Sequence, residues 1–308
     1  MTVRLRPWWL ATFIAAACIL AATALFVYRQ RSDQSTSELV RRLPAGTRFY
    51  ARVDLAALRN GGMLDLVAGS AAEQEPDYRH FVEQTGFDYT RDLDEVVAGF
   101  GGSTTYYIVR GRFEWARLRR WVQTQGGECI NSFCVVNGSR PERKISFFPI
   151  ARRVMGMAVG AYQRSAYDLL EGRGAPVVEP LPEKSLWLMT SGAALAGERG
   201  LPEGTRAFAG ALRGANRITL GLEPRGGRLS LEMEARYGST DEAERLRAEL
   251  HALTAKLLQF IQREGHIPNP DDLSGMLTAG EFSTSGTTVN GRWPVPRGLL
   301  GSILAGVN

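Results

Sequence analysis

The chain of 308 residues is 44% apolar and 22% charged, with a formal net charge of +5. That balance excludes a disordered chain and a polytopic membrane protein, and it leaves a globular body large enough for one big domain or two modest ones. Lys144, Lys184 and Lys256 are the only lysines, and the short clusters Arg117/Arg119/Arg120, Arg140/Arg143/Lys144 and Arg152/Arg153 lie among acids such as Glu114, Glu128 and Glu142, so they read as solvated faces and no nucleic acid is expected as a partner.

Residues 1–30 read as a membrane anchor. Trp8 to Tyr28 is a run of 21 residues without charge, proline or glycine. As a helix it rises about 30 Å, the thickness of a bilayer's hydrocarbon core. Trp8 and Trp9 at one end and Tyr28 at the other suit the two membrane interfaces. A cleaved signal peptide is the rival reading, with Ala22-Thr23-Ala24 as the cleavage site. The run is long for a signal peptide's apolar region, which favours an uncleaved anchor. Apolar sequence continues past Cys18, so that residue reads as a small buried hydrophobe rather than a lipidation site. Arginines flank both ends, and the charge rule does not choose an orientation. A short tail ahead of a long soluble body is the layout of a signal anchor. It predicts a single-pass protein of the bacterial inner membrane with its body in the periplasm.

Residues 31–43 read as a polar linker, followed by a first half over 44–174 and a second over 184–308. In the first half, alternation predicts a strand from Phe49 into Asp54, then a short helix through Leu58 stopped at Gly61-Gly62. Pro76 opens a helix that Gly86 ends, and a polar turn region with Asp88, Asp92 and Asp94 follows. Strands are predicted over 95–100, 104–110, 128–136, 144–150 and 154–160. A helix over 114–125 carries Trp115, Leu118, Trp121 and Val122 on one face, and another lies near 165–171. In the second half, strands are predicted over 185–190, 217–222 and 228–236. Ser239-Thr240-Asp241-Glu242 is a capping box opening the longest helix, which ends near Gly265. Strands over 277–284 and 286–293 and a short apolar helix over 298–305 close the chain. The order predicts an α+β fold of antiparallel sheets with helices on one face, in two loosely similar halves.

Cys129 and Cys134 flank Ile130-Asn131-Ser132-Phe133. If Asn131-Ser132 is a two-residue hairpin turn, the cysteines face each other at the next non-hydrogen-bonded pair, close enough for a disulfide. A bridge implies an oxidising compartment; two unlinked thiols in a strand pair is the other reading.

The pieces Leu43-Pro44-Ala45-Gly46-Thr47-Arg48-Phe49-Tyr50, Phe81-Val82-Glu83-Gln84-Thr85-Gly86-Phe87-Asp88 and Gly111-Arg112-Phe113 resemble uncharacterised bacterial envelope proteins of acidobacterial type, which carry an N-terminal anchor and a domain of unknown function. The resemblance covers about residues 40–160. It implies an anchored, exported α+β body and supplies no activity.

No set of residues reads as catalytic. His80, His251 and His266 have no metal-ligand spacing, Asp88, Asp92, Asp94 and Glu95 miss the calcium-loop pattern, and no phosphate loop or nucleophile elbow is present. No cofactor and no metal are expected. The sequence points to a non-enzymatic interaction or scaffold module whose partner is an envelope protein or lipid. The alternative is a binding module for an apolar ligand or lipid held between sheet and helices.

Overall fold

The computed structural model of the chain describes residues 35–64, 76–138, 140, 142–170, 180–198, 201, 203–225 and 228–296. The expected anchor with Trp8, Trp9 and Tyr28, and the expected helix over 298–305, lie outside the described residues. Among the described residues no helix is long and apolar enough to cross a membrane.

The fold starts earlier than the linker reading puts it. Ser35 caps a helix, α1 (Thr36–Arg41), by accepting a hydrogen bond from the Glu38 N–H. Leu39, Val40 and Leu43 are buried beneath it. Polar residues dominate this segment by number, which hides the apolar side chains that seat it on the sheet.

After α1 the first half runs β1 (Phe49–Asp54), α2 (Leu55–Asn60), α3 (Pro76–Thr85), α4 (Tyr89–Asp92), β2 (Leu93–Phe100), β3 (Thr105–Gly111), α5 (Trp115–Thr124), β4 (Glu128–Ile130), β5 (Phe133–Asn137), β6 (Lys144–Ala151) and β7 (Val154–Gly160). A 3-10 turn, Ser165–Leu169, stands where a helix is predicted. The second half runs β8 (Leu186–Thr190), α6 (Gly192–Ala196), α7 (Glu203–Ala211), β9 (Arg217–Arg225), β10 (Arg228–Arg236), α8 (Thr240–Arg263), α9 (Leu273–Thr278), β11 (Glu281–Ser285) and β12 (Thr288–Val295). The strand predicted over 277–284 is therefore divided. Asp272 caps α9 by accepting from the Ser274 and Gly275 N–H groups, which commits Leu277 and Thr278 to helix.

The two halves share a path. Each enters by a strand, passes through helices, adds an outward hairpin (β2–β3 or β9–β10), crosses by α5 or α8, and returns so that its last strand pairs with its third, β7 on β3 and β12 on β10. The antiparallel sheets expected for the two halves are one twelve-stranded sheet in the order β11-β12-β10-β9-β8-β1-β2-β3-β7-β6-β5-β4. The first strands of the halves, β1 and β8, pair antiparallel, from Phe49 opposite Thr190 to Val53 opposite Leu186.

Alternation along the strands gives the sheet two different faces. One carries Phe49, Val53, Ile218, Met233 and Trp293, and helices from both halves pack on it. The other carries Val97, Ile108, Trp187 and Met189, covered by Leu39, Val40 and Leu43 on one side and by Ala166 and Leu169 of the 3-10 turn.

The capping box on α8 forms as the sequence predicts, with Ser239 and Glu242 bonding each other's backbone N–H. Its apolar stripe loses its cover along the helix. Leu246 and Leu250 are buried, Leu253 and Leu257 are half-buried, and Phe260 is 63% exposed. The helix is about 36 Å long, against about 17 Å for β11, the strand it packs on most, and its last turn is left in solvent. His251 lies edge-on to Phe282 at 5.3 Å, a packing position. Truncating Leu250 to alanine is expected to cost about 2–5 kcal/mol of unfolding free energy. Phe260→Ala is expected to stay within about 0.5 kcal/mol. Urea melts of the two variants measure both.

Candidate functional site

The acidic residues considered as calcium ligands are committed elsewhere. Asp88 caps α4 by accepting from the Thr90 N–H. Asp92 accepts from the Asp88 N–H and is bridged by Arg91 at 2.9 Å and Arg112 at 3.2 Å. Burial alone would raise the pKa of Asp92, but these hydrogen bonds and cations outweigh it and hold the carboxyl below its usual range. Asp94 pairs with Arg153 at 2.7 Å. Among the described residues no three His, Cys, Asp or Glu side chains converge as metal ligands. His80 sits on an exposed helix face beside Gln84 and Glu83.

Glu95 is the most buried of these acids, and it anchors a chain of charges across the sheet. It accepts from Arg52 Nε at 2.6 Å and Thr36 Oγ1 at 2.7 Å, and Arg110 Nη1 lies 2.8 Å away. Arg52 also binds Asp54 at 2.8 Å and the Lys184 carbonyl at 3.1 Å. Lys184 Nζ reaches Glu232 on β10 at 2.7 Å, passing over Gly221 of β9, where a Cβ would stand 2.3 Å from Lys184 Cδ. The chain links β3, β2, β1, β10 and α1. Its pairing is internal, which assigns it to holding the halves together. Glu95→Ala takes the shared carboxylate from two part-buried guanidinium groups, of which Arg52 keeps Asp54, and is expected to cost about 3 kcal/mol, readable as a lowered denaturation midpoint.

The second cluster faces solvent. Cys129 and Cys134 lie opposite one another in the β4–β5 pair, with Cα atoms 4.0 Å apart, and the structure joins them as a disulfide. Between them Asn131 (φ 49°) and Ser132 (φ 78°) both take left-handed backbone, as a two-residue hairpin turn of this type requires. They are the two non-glycine residues with positive φ among those described. The bridge closes a small loop whose entropy in the unfolded chain is worth about 2 kcal/mol.

This pinned hairpin stands beside the 3-10 turn. Three rings stack outward from the core: Phe148 is 5% exposed, Phe133 half-buried and Tyr167 42% exposed. The Phe133 and Tyr167 centroids are 4.2 Å apart with planes 8° apart, and Phe133 and Phe148 are 6.0 Å and 18° apart. The large hydrophobic side chains exposed among the described residues are Ile130, Tyr162, Tyr167, Leu170, Phe260 and Ile267. The first four belong to the hairpin, the 3-10 turn and its flanks. Between hairpin and turn lies an open cleft of about 350 Å3, lined by Glu128, Ile130, Phe133, Gln163, Arg164 and Tyr167 among others.

The cysteine spacing marks the hairpin in the sequence, whereas nothing local marks Tyr167, which is brought to Phe133 only by the return of β7. The tryptophans of α5 do not join this surface. Trp121 packs edge-on against Phe81 at 5.0 Å and Trp115 against Phe113 at 5.2 Å, as expected of a core-facing stripe.

Between surface and core, the Tyr106 hydroxyl donates to Asp168 Oδ2 of the 3-10 turn at 2.5 Å. Burial, then the hydrogen bond to Asp168 and its charge, push the Tyr106 pKa up to about 12.

No family model matches the chain, and no curated protein matches it. Comparison of folds finds the protein TP0453. Its crystal form I matches 87% of this chain and 96% of that chain with a TM-score of 0.51 at 10% identity. Crystal form III matches 86% of this chain and 97% of that chain with a TM-score of 0.46, also at 10% identity. At this identity the likeness is one of fold alone.

Two outcomes test the cluster. The double variant Cys129→Ser/Cys134→Ser is expected to lose about 2 kcal/mol in a urea melt. The Tyr106 shift has a fixed sign: the folded pKa lies above the unfolded value near 10, so its stabilising contribution is complete below about pH 10 and is lost as pH rises towards 12. Tyr106→Phe should therefore show a shallower loss of stability over that window in alkaline melts.

Proposed function

We propose that this protein is held at a membrane by residues 8–28, with its body on the extracytoplasmic side, and acts there as a non-enzymatic interaction module. Its contact surface is the β4–β5 hairpin with the adjoining 3-10 turn. One observation carries the reading: exposed Ile130 and Tyr167 line one cleft beside a hairpin that a disulfide and a tight turn hold in one shape, and Tyr162 and Leu170 are exposed on the flanks of the adjoining turn. Apolar groups left in water on a rigid element mark an interaction site. A disulfide in the body favours an oxidising compartment, which agrees with a body carried across the membrane. The resemblance to anchored envelope proteins supports the same placement.

The reading as a module for an apolar ligand or lipid has less support. Trp187, Ile218, Met233 and Leu250 are buried between sheet and helices, and the clefts at the β4–β5 hairpin and beside β8 are open ones.

The test uses the full chain in cells. Alkaline extraction should leave it in the membrane pellet, and an alkaline phosphatase fusion after residue 40 should be active while a cytoplasmic fluorescent fusion is dark. A photocrosslinking amino acid at position 130 should form adducts with an envelope component that the same group at position 264 does not. A soluble chain, a bright fluorescent fusion, or equal adducts from both positions would contradict the reading.

A further inference from the structure

We infer that the cleft between the β4–β5 hairpin and the 3-10 turn is a binding site for a neutral glycan strand. The inference rests on the proposed function for its setting, an extracytoplasmic body, and on the cleft itself for its chemistry. The Phe148–Phe133–Tyr167 stack runs from core to surface with its planes nearly parallel, so its outermost ring extends a series of flat rings towards solvent. A pyranose ring suits that position, because its axial C–H bonds carry partial positive charge and meet the negative face of an aromatic ring.

The polar lining is of the matching kind. Glu128, Gln163 and Arg164 line the cleft, and their side chains make no hydrogen bond or ion pair among the described residues. Together they offer an acceptor, an amide that donates and accepts, and a fork of donors. Sugar hydroxyls need both kinds of partner at once. One acid and one base leave these three side chains without net charge, which disfavours a phosphate or an anionic headgroup. The cleft is open and about 350 Å3 in volume, which disfavours an enclosed acyl chain and leaves room for a short stretch of sugar rings.

The disulfide and the left-handed turn at Asn131-Ser132 fix one wall of the cleft, and the bond from the Ala166 N–H to Ser146 Oγ, 3.1 Å, ties the other to β6. Binding then has little ordering to offset, as a shallow site for a weakly binding polymer requires.

The experiment uses the purified full chain in detergent micelles, with the N-acetylglucosamine tetramer and a linear β-1,3-glucan hexamer as probes. Saturation-transfer NMR and titration calorimetry report binding. At least one probe should bind in the micromolar to millimolar range, with saturation transfer strongest at ring C–H protons. Tyr167→Ala should weaken it about tenfold or more, the scale of a lost stacking contact. Arg164→Ala should weaken it while leaving the saturation pattern in place. Phe260→Ser, remote from the cleft, should bind as the parent does, and circular dichroism checks that every variant is folded.

Binding of neither probe at millimolar concentration, or binding that a folded Tyr167→Ala keeps, overturns the inference. So does capture from position 130 of a protein alone, with no glycan. Because binding is read on purified chain, it can fail while the fractionation and fusion results stand, and the reverse.

Discussion

The pairing of β1 with β8 is the constraint on which the rest of the architecture depends. Without it each half would expose an edge strand, and β8 carries Leu186-Trp187-Leu188-Met189, a bare apolar edge of the kind that invites aggregation. With it, Trp187 and Met189 are buried among side chains contributed by α1, β2 and β3 of the first half. The two segments expected as separate halves are thus one sheet, and each lends buried side chains to the other's core: Phe49 to the second half's, Trp187 and Met189 to the first half's. The charge chain repeats the same joint in polar terms: Arg52 on β1 holds Glu95 on one side and the Lys184 carbonyl on the other, and the Lys184 side chain passes over Gly221 to Glu232. Buried ions are costly unless fully paired, so the network tolerates little displacement of one half against the other.

The same network reaches the end of the chain where the anchor is expected. Thr36, one residue past the α1 cap, donates to Glu95. Only residues 29–34 separate the apolar run from that cap, and six residues span at most about 20 Å. In the proposed reading the body therefore stands close to the bilayer, held through its central strands.

Much of this was legible in the residues. Period-two alternation located most strands, and the capping box and glycine stops located the long helices, because those signals are local. The disulfide was legible as one of two options, since a hairpin turn fixes which residues face each other. Other features were hidden for a physical reason. Leu39, Val40 and Leu43 sit among enough polar residues to read as linker. Asp272 commits Leu277 to a helix although the apolar pattern reads as strand. Asp92 and Glu95 look like solvated turn acids until the fold brings Arg112, just past β3, to the first and Arg52 and Arg110 to the second. The stack of Tyr167 on Phe133 joins residues 34 apart, and only the sheet order brings them together. The cleft at Tyr167 is thus half legible: the cysteine spacing marks its hairpin wall, and nothing local marks the wall formed by the 3-10 turn.

The central claim is an oxidised, rigid hairpin displayed by a body held at the outer side of a membrane. Its most direct test is the redox state of the peptide spanning Cys129 and Cys134 in membranes from cells quenched with acid and alkylated without reductant. The account predicts that mass spectrometry finds this peptide bridged, in the membrane fraction, and alkylated only after reduction. Finding both thiols alkylated at once, or the peptide confined to the soluble fraction, would contradict it.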